Sequence, residues 1–140
     1  MYAARVPEHP HAAIARRAWD AISRGDSESL RGLLAPDLVW HATARHTPWT
    51  GGHRGPDAIL DFLARVGEVA DEFRARLVDV LASEERVLIV FHVQIAVGSR
   101  RTELDYLLLA RVEGVRVAEC WTAPLDPDAI EAFWSGPSSS

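Results

Sequence analysis

Residues 86–122 read RVLIVFHVQIAVGSRRTELDYLLLARVEGVRVAECWT. Three β-rich runs, 86–97, 102–112 and 115–122, are divided at Gly98-Ser99 and Glu113-Gly114. Long branched and aromatic runs with glycine at the breaks predict an antiparallel meander. A two-residue loop at Gly98-Ser99 puts His92 opposite Asp105, Val90 opposite Leu107, Leu88 opposite Leu109 and Gln94 opposite Glu103. A turn at Glu113-Gly114 then puts Asp105 opposite Thr122, Leu107 opposite Cys120 and Leu109 opposite Ala118. One face then carries a polar row, His92, Asp105 and Thr122, above apolar rows. The other face carries Phe91, Tyr106 and Trp121. Directly opposed side chains approach to about 4.5–5.5 Å at Cβ, within reach of a His–Asp hydrogen bond. If residues 98–101 form a four-residue loop instead, Asp105 opposes Gln94 and His92 sits on the diagonal.

Upstream, residues 73–81 alternate loosely and supply a fourth strand to the meander. Residues 11–24 carry Ile14, Ala18, Trp19 and Ile22 at helical spacing, and Gly25 stops the helix. Asp26 is placed to cap a short second helix bearing Leu30, Leu33 and Leu34, which Pro36 ends. Residues 37–43 read as a short strand and residues 44–55, rich in Gly, Pro, Thr and His, as a loop. Pro56 opens a third helix with Ile59, Phe62, Leu63 and Val66 on its buried stripe. Asp126-Pro127 begins a closing helix that ends near Trp134. Helices set apart from an antiparallel sheet define an α+β domain. We place it at residues 11–135, with flexible tails at 1–10 and 136–140.

The chain has 140 residues, 48% of them hydrophobic and 25% charged, with a formal net charge of -5. One domain with a real core follows. No basic patch points to nucleic acid, and no apolar run is long enough to span a membrane. The amino terminus lacks the layout of a secretory signal, and Cys120 is the single cysteine, so a reducing, cytoplasmic setting is expected. Both faces of the meander are apolar over much of their area, and the helices can cover only one. A second copy of the chain, as a homodimer, is expected to cover the other.

Four stretches carry a resemblance. Residues 17–26, RAWDAISRGD, followed by 33–41, LLAPDLVWH, resemble the opening of the SnoaL-like and ketosteroid-isomerase-like families of the nuclear transport factor 2-like superfamily. So do residues 51–59, GGHRGPDAI, and 115–121, VRVAECW. The resemblance spans nearly the whole chain. It implies a cone-shaped, barrel-like curved sheet, mostly antiparallel, wrapped around the N-terminal helices with an internal pocket. It also implies a small-molecule ligand and activities such as isomerisation, polyketide cyclisation or dehydration without a cofactor. By this resemblance Asp105 matches the oxyanion-hole Asp of ketosteroid isomerase and the proton-donating Asp of limonene epoxide hydrolase. Trp40 falls where that hydrolase has a water-positioning Tyr. Other family residues are replaced: the isomerase base falls at Ala42 and its oxyanion Tyr at Ala18. The hydrolase Arg falls at Glu103, and its second Asp at Thr122.

His92 and Asp105 are therefore the candidate proton-handling pair. A carboxylate fixes the imidazole tautomer and leaves the other nitrogen free to move a proton. In an apolar pocket the pair suits proton abstraction next to a carbonyl, or loss of water. The plainer reading is a pair that only satisfies two polar groups. Trp40, Trp49, Phe62, Gln94, Leu107, Cys120 and Thr122 are the candidate substrate-binding residues. Trp40 and Trp49 would be aromatic walls, or simply core and a loop plug. Thr122 is a hydrogen-bond donor or an ordinary strand residue. Cys120 is read as packing rather than nucleophile. His41 alternates away from Trp40. His46 and His53 lie in the loop, and with His41 they match no standard metal-ligand spacing, so no metal is expected. No phosphate loop or dinucleotide fingerprint occurs. The leading expectation is a cofactor-independent acid–base enzyme on a small apolar or polycyclic metabolite. The alternative is a non-catalytic binding or dimerisation module.

Overall fold

The computed structural model describes residues 8–135. Of the expected tails, residues 1–7 and 136–140 lie outside the described residues. Residues 8–10 are part of the fold. His9 caps the first helix, α1 (Pro10–Arg24), through a 3.0 Å bond from the His11 amide to its ring Nδ1. Glu8 pairs with Arg16. Proline at the first helical position loses no hydrogen bond, because that N–H has no partner in a helix. At the other end Gly25 adopts φ 67°, and its N–H reaches back to Ala21 and Ile22. A left-handed cap of this kind favours glycine.

Asp26 caps α2 (Ser27–Gly32), its carboxylate accepting from the Ser29 amide at 3.1 Å. The chain enters β1 (Leu34–Ala42) earlier than the sequence suggests, and Pro36 lies inside that strand. The pairing of β1 with its neighbour is irregular between Leu34 and Val39, which frees the position from donating to the ladder. Within the stretch read as a loop, β2 (Gly51–Arg54) pairs antiparallel with β1 at the sheet edge. Gly-Gly-His-Arg has little strand propensity, so its partner dictates its conformation. α3 (Pro56–Val69) follows Gly55 at φ 82°.

The meander comprises β3 (Glu72–Ala82), β4 (Arg86–Val97), β5 (Arg100–Glu113) and β6 (Arg116–Pro124). α4 (Pro127–Ser135) closes the described chain, with Asp126 accepting from the Ala129 amide at 3.1 Å. The six strands form one sheet in the order β2-β1-β6-β5-β4-β3, with β1 parallel to β6 and every other pair antiparallel. It is curved but does not close, so the barrel-like expectation is corrected to an open sheet. Two bulges help to bend it. Val78 has no partner between the Leu77–Phe91 and Asp79–Val90 pairs, and Ala118 has none between Val112–Val117 and Arg111–Glu119. Bulges bend the strand that carries them and sharpen its twist.

The register of β4 on β5 matches the two-residue loop: His92 faces Asp105, Val90 faces Leu107, Leu88 faces Leu109 and Gln94 faces Glu103. The register of β5 on β6 does not match. Thr122 lies opposite Leu108, Cys120 opposite Ala110 and Trp121 opposite Leu109. The turn takes Gly114 and Val115 as its two loop residues, so Glu113 pairs with Arg116. That moves the register by two and leaves the faces unchanged. The bulge at Ala118 adds one more residue. A one-residue slip carries every later side chain to the other face. Thr122 and Cys120 therefore share a face with Tyr106, Leu108 and Ala110, not with Asp105 and Leu107.

The helices lie against the first of these faces. α1 packs on β3 and β4, α3 on β1, and α4 on β5. Ile14, Ala15 and Ala18 of α1 are buried there, as are Leu38 and Trp40 of β1.

Candidate functional site

The helix-covered face of the sheet encloses a cavity of about 180 Å³. Its floor is the odd-numbered side of β4, from Val87 to Ile95, and the even-numbered side of β5, from Tyr106 to Val112. Ile14, Ala18, Trp19 and Ile22 of α1 close it from above, and Ile59, Phe62 and Leu63 of α3 from one side. Trp40 and Cys120, paired across β1 and β6, line it together with Thr122. The periodicity of two along each strand puts every second residue into this space.

Aromatic rings form much of the wall. Phe62 stands edge-on to Trp40 at 4.9 Å and to Trp49 at 4.8 Å between ring centres. Trp49 meets Trp134 of α4 edge-on at 5.0 Å. Trp19 packs on Phe91 at 5.3 Å, and Phe91 stacks on Tyr106 at 5.6 Å. Such pairs hold rings in fixed orientations beyond what area burial alone achieves.

Polar atoms are few. The indole N–H of Trp40 donates to Thr122 Oγ1 at 2.9 Å. Behind Trp40, on the far side of its ring, His53 stacks at 4.7 Å and its Nε2 lies 2.7 Å from the Trp49 carbonyl. The Tyr106 hydroxyl has no hydrogen-bond partner among the described residues, and burial pushes its pKa up to about 12. Burial, helped by the negative charge of Glu119, pushes the Cys120 thiol up to about 12 as well. A thiol this protonated is no nucleophile at neutral pH. The Trp134 indole N–H is buried without a partner among the described residues. No Asp, Glu, His or Arg side chain is among the described residues lining the cavity.

Of the residues expected to bind substrate, Trp40, Trp49, Phe62, Cys120 and Thr122 line the cavity. Gln94 and Leu107 do not. They share the outer face of the sheet with His92 and Asp105, because β4 turns its odd-numbered residues inward and β5 its even-numbered ones. The His92–Asp105 contact itself exists: Nδ1 lies 2.7 Å from the carboxylate. The pair sits outside the cavity, and Thr122 is separated from it by the thickness of the sheet. The expectation of one polar row at the pocket is corrected on this point.

His92 is held on both sides. Its Nε2 lies 2.9 Å from Glu103, which also accepts from Gln94 at 2.8 Å. The Glu103 bond, and then the Asp105 bond, raise the His92 pKa above the ordinary imidazole range. The same contact with His92 lowers the Glu103 pKa. With a carboxylate on each nitrogen, no ring nitrogen is free to shuttle a proton, so the arrangement is that of an ion cluster. A second cluster lies at the other end of this face. His41 Nε2 is 2.8 Å from Glu119, which also faces Arg111 at 3.5 Å, and the His41 ring stacks on Trp121. Between the clusters run Leu88, Val90, Leu107, Leu109 and Trp121, all half-buried with none of the described helices packed over them.

His41, His46 and His53 go separate ways. His41 pairs with Glu119, His53 backs Trp40, and His46 is exposed in the loop at φ 61°. Among the described residues no three His, Cys, Asp or Glu side chains cluster as a metal site. None of the described helices is long and apolar enough to cross a membrane.

Among the cavity residues missed from the sequence are Phe91 and Tyr106, which fell on the other face once the pocket was placed beside His92 and Asp105, Trp134, read only as the end of the closing helix, and Trp19, taken as core. One signal could have found the first two. In β4 the odd-numbered residues are all apolar, Val87, Ile89, Phe91, Val93 and Ile95, whereas the even-numbered set includes His92 and Gln94. The more apolar side faces the helices.

Comparison with known proteins agrees with this geometry. A chain from a soil-derived mobile gene cassette, Bal32a, superposes with a TM-score of 0.81 at 27% identity, over 89% of this chain and 95% of its own. A nuclear transport factor 2-like protein of Burkholderia xenovorans superposes with a TM-score of 0.75 at 27% identity, over 86% of this chain and 92% of its own. IdmH of Streptomyces antibioticus, a candidate polyketide cyclase, shares the fold with a TM-score of 0.71 at 20% identity, over 87% of this chain and 96% of its own. Comparison with curated proteins gives no match. The model of the SnoaL-like domain matches residues 15–120, from the cavity-facing side of α1 to the cavity thiol of β6, and the chain belongs to that family.

Proposed function

We propose that this chain takes a small, neutral, largely apolar, ring-containing molecule into the cavity and promotes its cyclisation or isomerisation by confinement and hydrogen bonding. The observation that carries this is the lining itself: aromatic and aliphatic walls, two hydroxyls, one thiol and no ionisable carboxylate, imidazole or guanidinium. Walls of that kind reward apolar burial and penalise an unpaired charge. The volume, about 180 Å³, is close to the ~150 Å³ of an apolar cavity that accepts benzene. It suits one or two rings, and a larger polycycle would need the walls to move. Holding a flexible chain in a reactive geometry can by itself remove several kcal/mol from a barrier. The single cysteine, 4% exposed, accords with a reducing, cytoplasmic setting.

A second reading, binding without turnover, is favoured by one observation. Burial pushes the pKa of Tyr106 and of Cys120, the ionisable groups at the cavity, up to about 12, so neither exchanges a proton readily near neutrality.

Both readings require the cavity to bind. Titration with 2-acetonaphthone, a neutral two-ring probe, should change the tryptophan fluorescence of the protein, since Trp19, Trp40 and Trp49 line the cavity. Leu108→Trp, which fills the floor, should weaken binding at least tenfold while the far-ultraviolet circular dichroism stays unchanged. Unaltered affinity in a folded Leu108→Trp protein, or no binding by the parent, would overturn the proposal.

A further inference from the structure

Two hydroxyl-bearing residues line the cavity from adjacent strands. Tyr106 on β5 lies opposite Pro124, and Thr122 on β6 lies opposite Leu108, so the two are diagonal neighbours on one face. Diagonal positions are about 7–8 Å apart at the backbone, within reach of a long aromatic side chain. Both residues line the cavity.

Their hydrogen-bonding states differ, and both leave a proton to give. Thr122 Oγ1 accepts from the Trp40 indole at 2.9 Å, and its own hydroxyl proton is given to no described residue. An accepted bond polarises the hydroxyl and makes it a better donor. The Tyr106 hydroxyl has no partner among the described residues. It is not sealed in protein either, because Trp134 Nε1 is the single side-chain polar atom among them that is both buried and unpartnered. A phenol in an apolar wall that touches open space and bonds to nothing is a group awaiting a partner.

We infer that Tyr106 and Thr122, the latter backed by Trp40, form the specificity site of the cavity and take the carbonyl oxygen of a neutral cyclic ketone or a related enone. This rests on the cavity being the ligand site, as proposed above. The chemistry narrows the class. Thr122 already has an acceptor site filled by Trp40, so it presents a proton, and a phenol is a stronger donor than acceptor. The ligand atom is therefore an acceptor. A carboxylate would bring its charge into a lining with no cation to receive it, and an ammonium would meet no anion. A neutral carbonyl accepts two bonds on its two lone pairs without either cost. Oxygen negative charge that develops on enolisation or ring closure would strengthen the same two bonds, which is how such donors favour a transition state over a ground state.

The test compares 1-tetralone with tetralin, which has the same ring system and no carbonyl, by calorimetric titration. Tyr106→Phe should weaken 1-tetralone about fivefold, the usual worth of one neutral hydrogen bond, and leave tetralin unchanged. Thr122→Ser should keep the parent's 1-tetralone affinity, and Thr122→Val should lose it. The infrared carbonyl band of bound 1-tetralone should lie at lower frequency in the parent than in Tyr106→Phe. If both probes bind and Tyr106→Phe affects them equally, or the carbonyl band is unmoved, the inference fails while the cavity reading stands. If neither probe binds the folded parent, the cavity reading fails and takes this inference with it.

Discussion

Replacing Thr122 with Val tests the feature that builds the cavity, the bulge at Ala118. Valine has nearly the shape of threonine but cannot accept a hydrogen bond. Trp40 is 3% exposed and its indole N–H has Thr122 Oγ1 as its partner at 2.9 Å. The substitution therefore strands a buried donor, at a cost of about 1–3 kcal/mol. A chain of 140 residues unfolds with an entropy near 0.3 kcal/mol/K, taking about 2.1 cal/mol/K per residue. The melting temperature should fall by about 3–10 °C by that conversion. In the register without the bulge, Thr122 stands on the outer face beside Asp105, where Thr→Val is worth within about 0.5 kcal/mol, or less than 2 °C. Scanning calorimetry of Thr122→Val, Trp40→Phe and the double variant separates the hydrogen bond from the lost indole volume. The cycle should give a coupling of about 0.5–1.5 kcal/mol. A Thr122→Val melting temperature within 2 °C of the parent, together with additive effects in the double variant, would refute the placement of Thr122 inside the cavity.

Four further outcomes are expected. His92 should titrate above the usual ~6.5 by proton NMR, because the bonds from Glu103 and Asp105 raise its pKa. Stability from a raised imidazole pKa is present at low pH and lost as pH rises through it, whereas that from the lowered Glu103 pKa is lost as pH falls through it. The cluster is thus complete only between the two, Glu103→Gln should move the His92 midpoint down, and a midpoint unmoved by that change contradicts the geometry. Asp105→Asn should leave binding of a cavity ligand unchanged within twofold or so, as it lies on the outer face; a large loss would return the His92–Asp105 pair to the site. Cys120, 4% exposed with its pKa pushed up to about 12, should resist Ellman's reagent at pH ~8 until guanidinium unfolds the chain, and rapid labelling of the native protein would contradict its burial. We propose that a second copy of the chain covers Val90, Leu107, Leu109 and Trp121, so sedimentation velocity should show a dimer that Leu107→Arg converts to monomer. A monomeric parent at micromolar concentration would reject it.

How far the sequence could be read depends on what each error costs. The Gly98-Ser99 hairpin was legible because a two-residue loop admits few registers, and every β4–β5 pair follows from it. The helix caps at Asp26 and Gly25 were legible because local backbone chemistry selects those residues. The bulge was missed because the strand was read in one phase, although its apolar positions pass from odd, Val115 and Val117, to even, Ala118 and Cys120, with no glycine to mark the step. What forces the extra residue is tertiary. β6 must pair with β5 on one side and run parallel to β1 on the other, placing Cys120 beside Trp40 and Trp121 beside His41. Without the bulge, the Glu119 carboxylate would turn toward the apolar cavity and Cys120 and Thr122 away from it. With it, Glu119 reaches His41 and Arg111 on the outer face. A single buried carboxylate without a partner would cost several kcal/mol, more than a local break in the ladder. Thus the same residue that hid the site from a strand-by-strand reading also keeps an acidic side chain out of a cavity whose selectivity rests on being neutral.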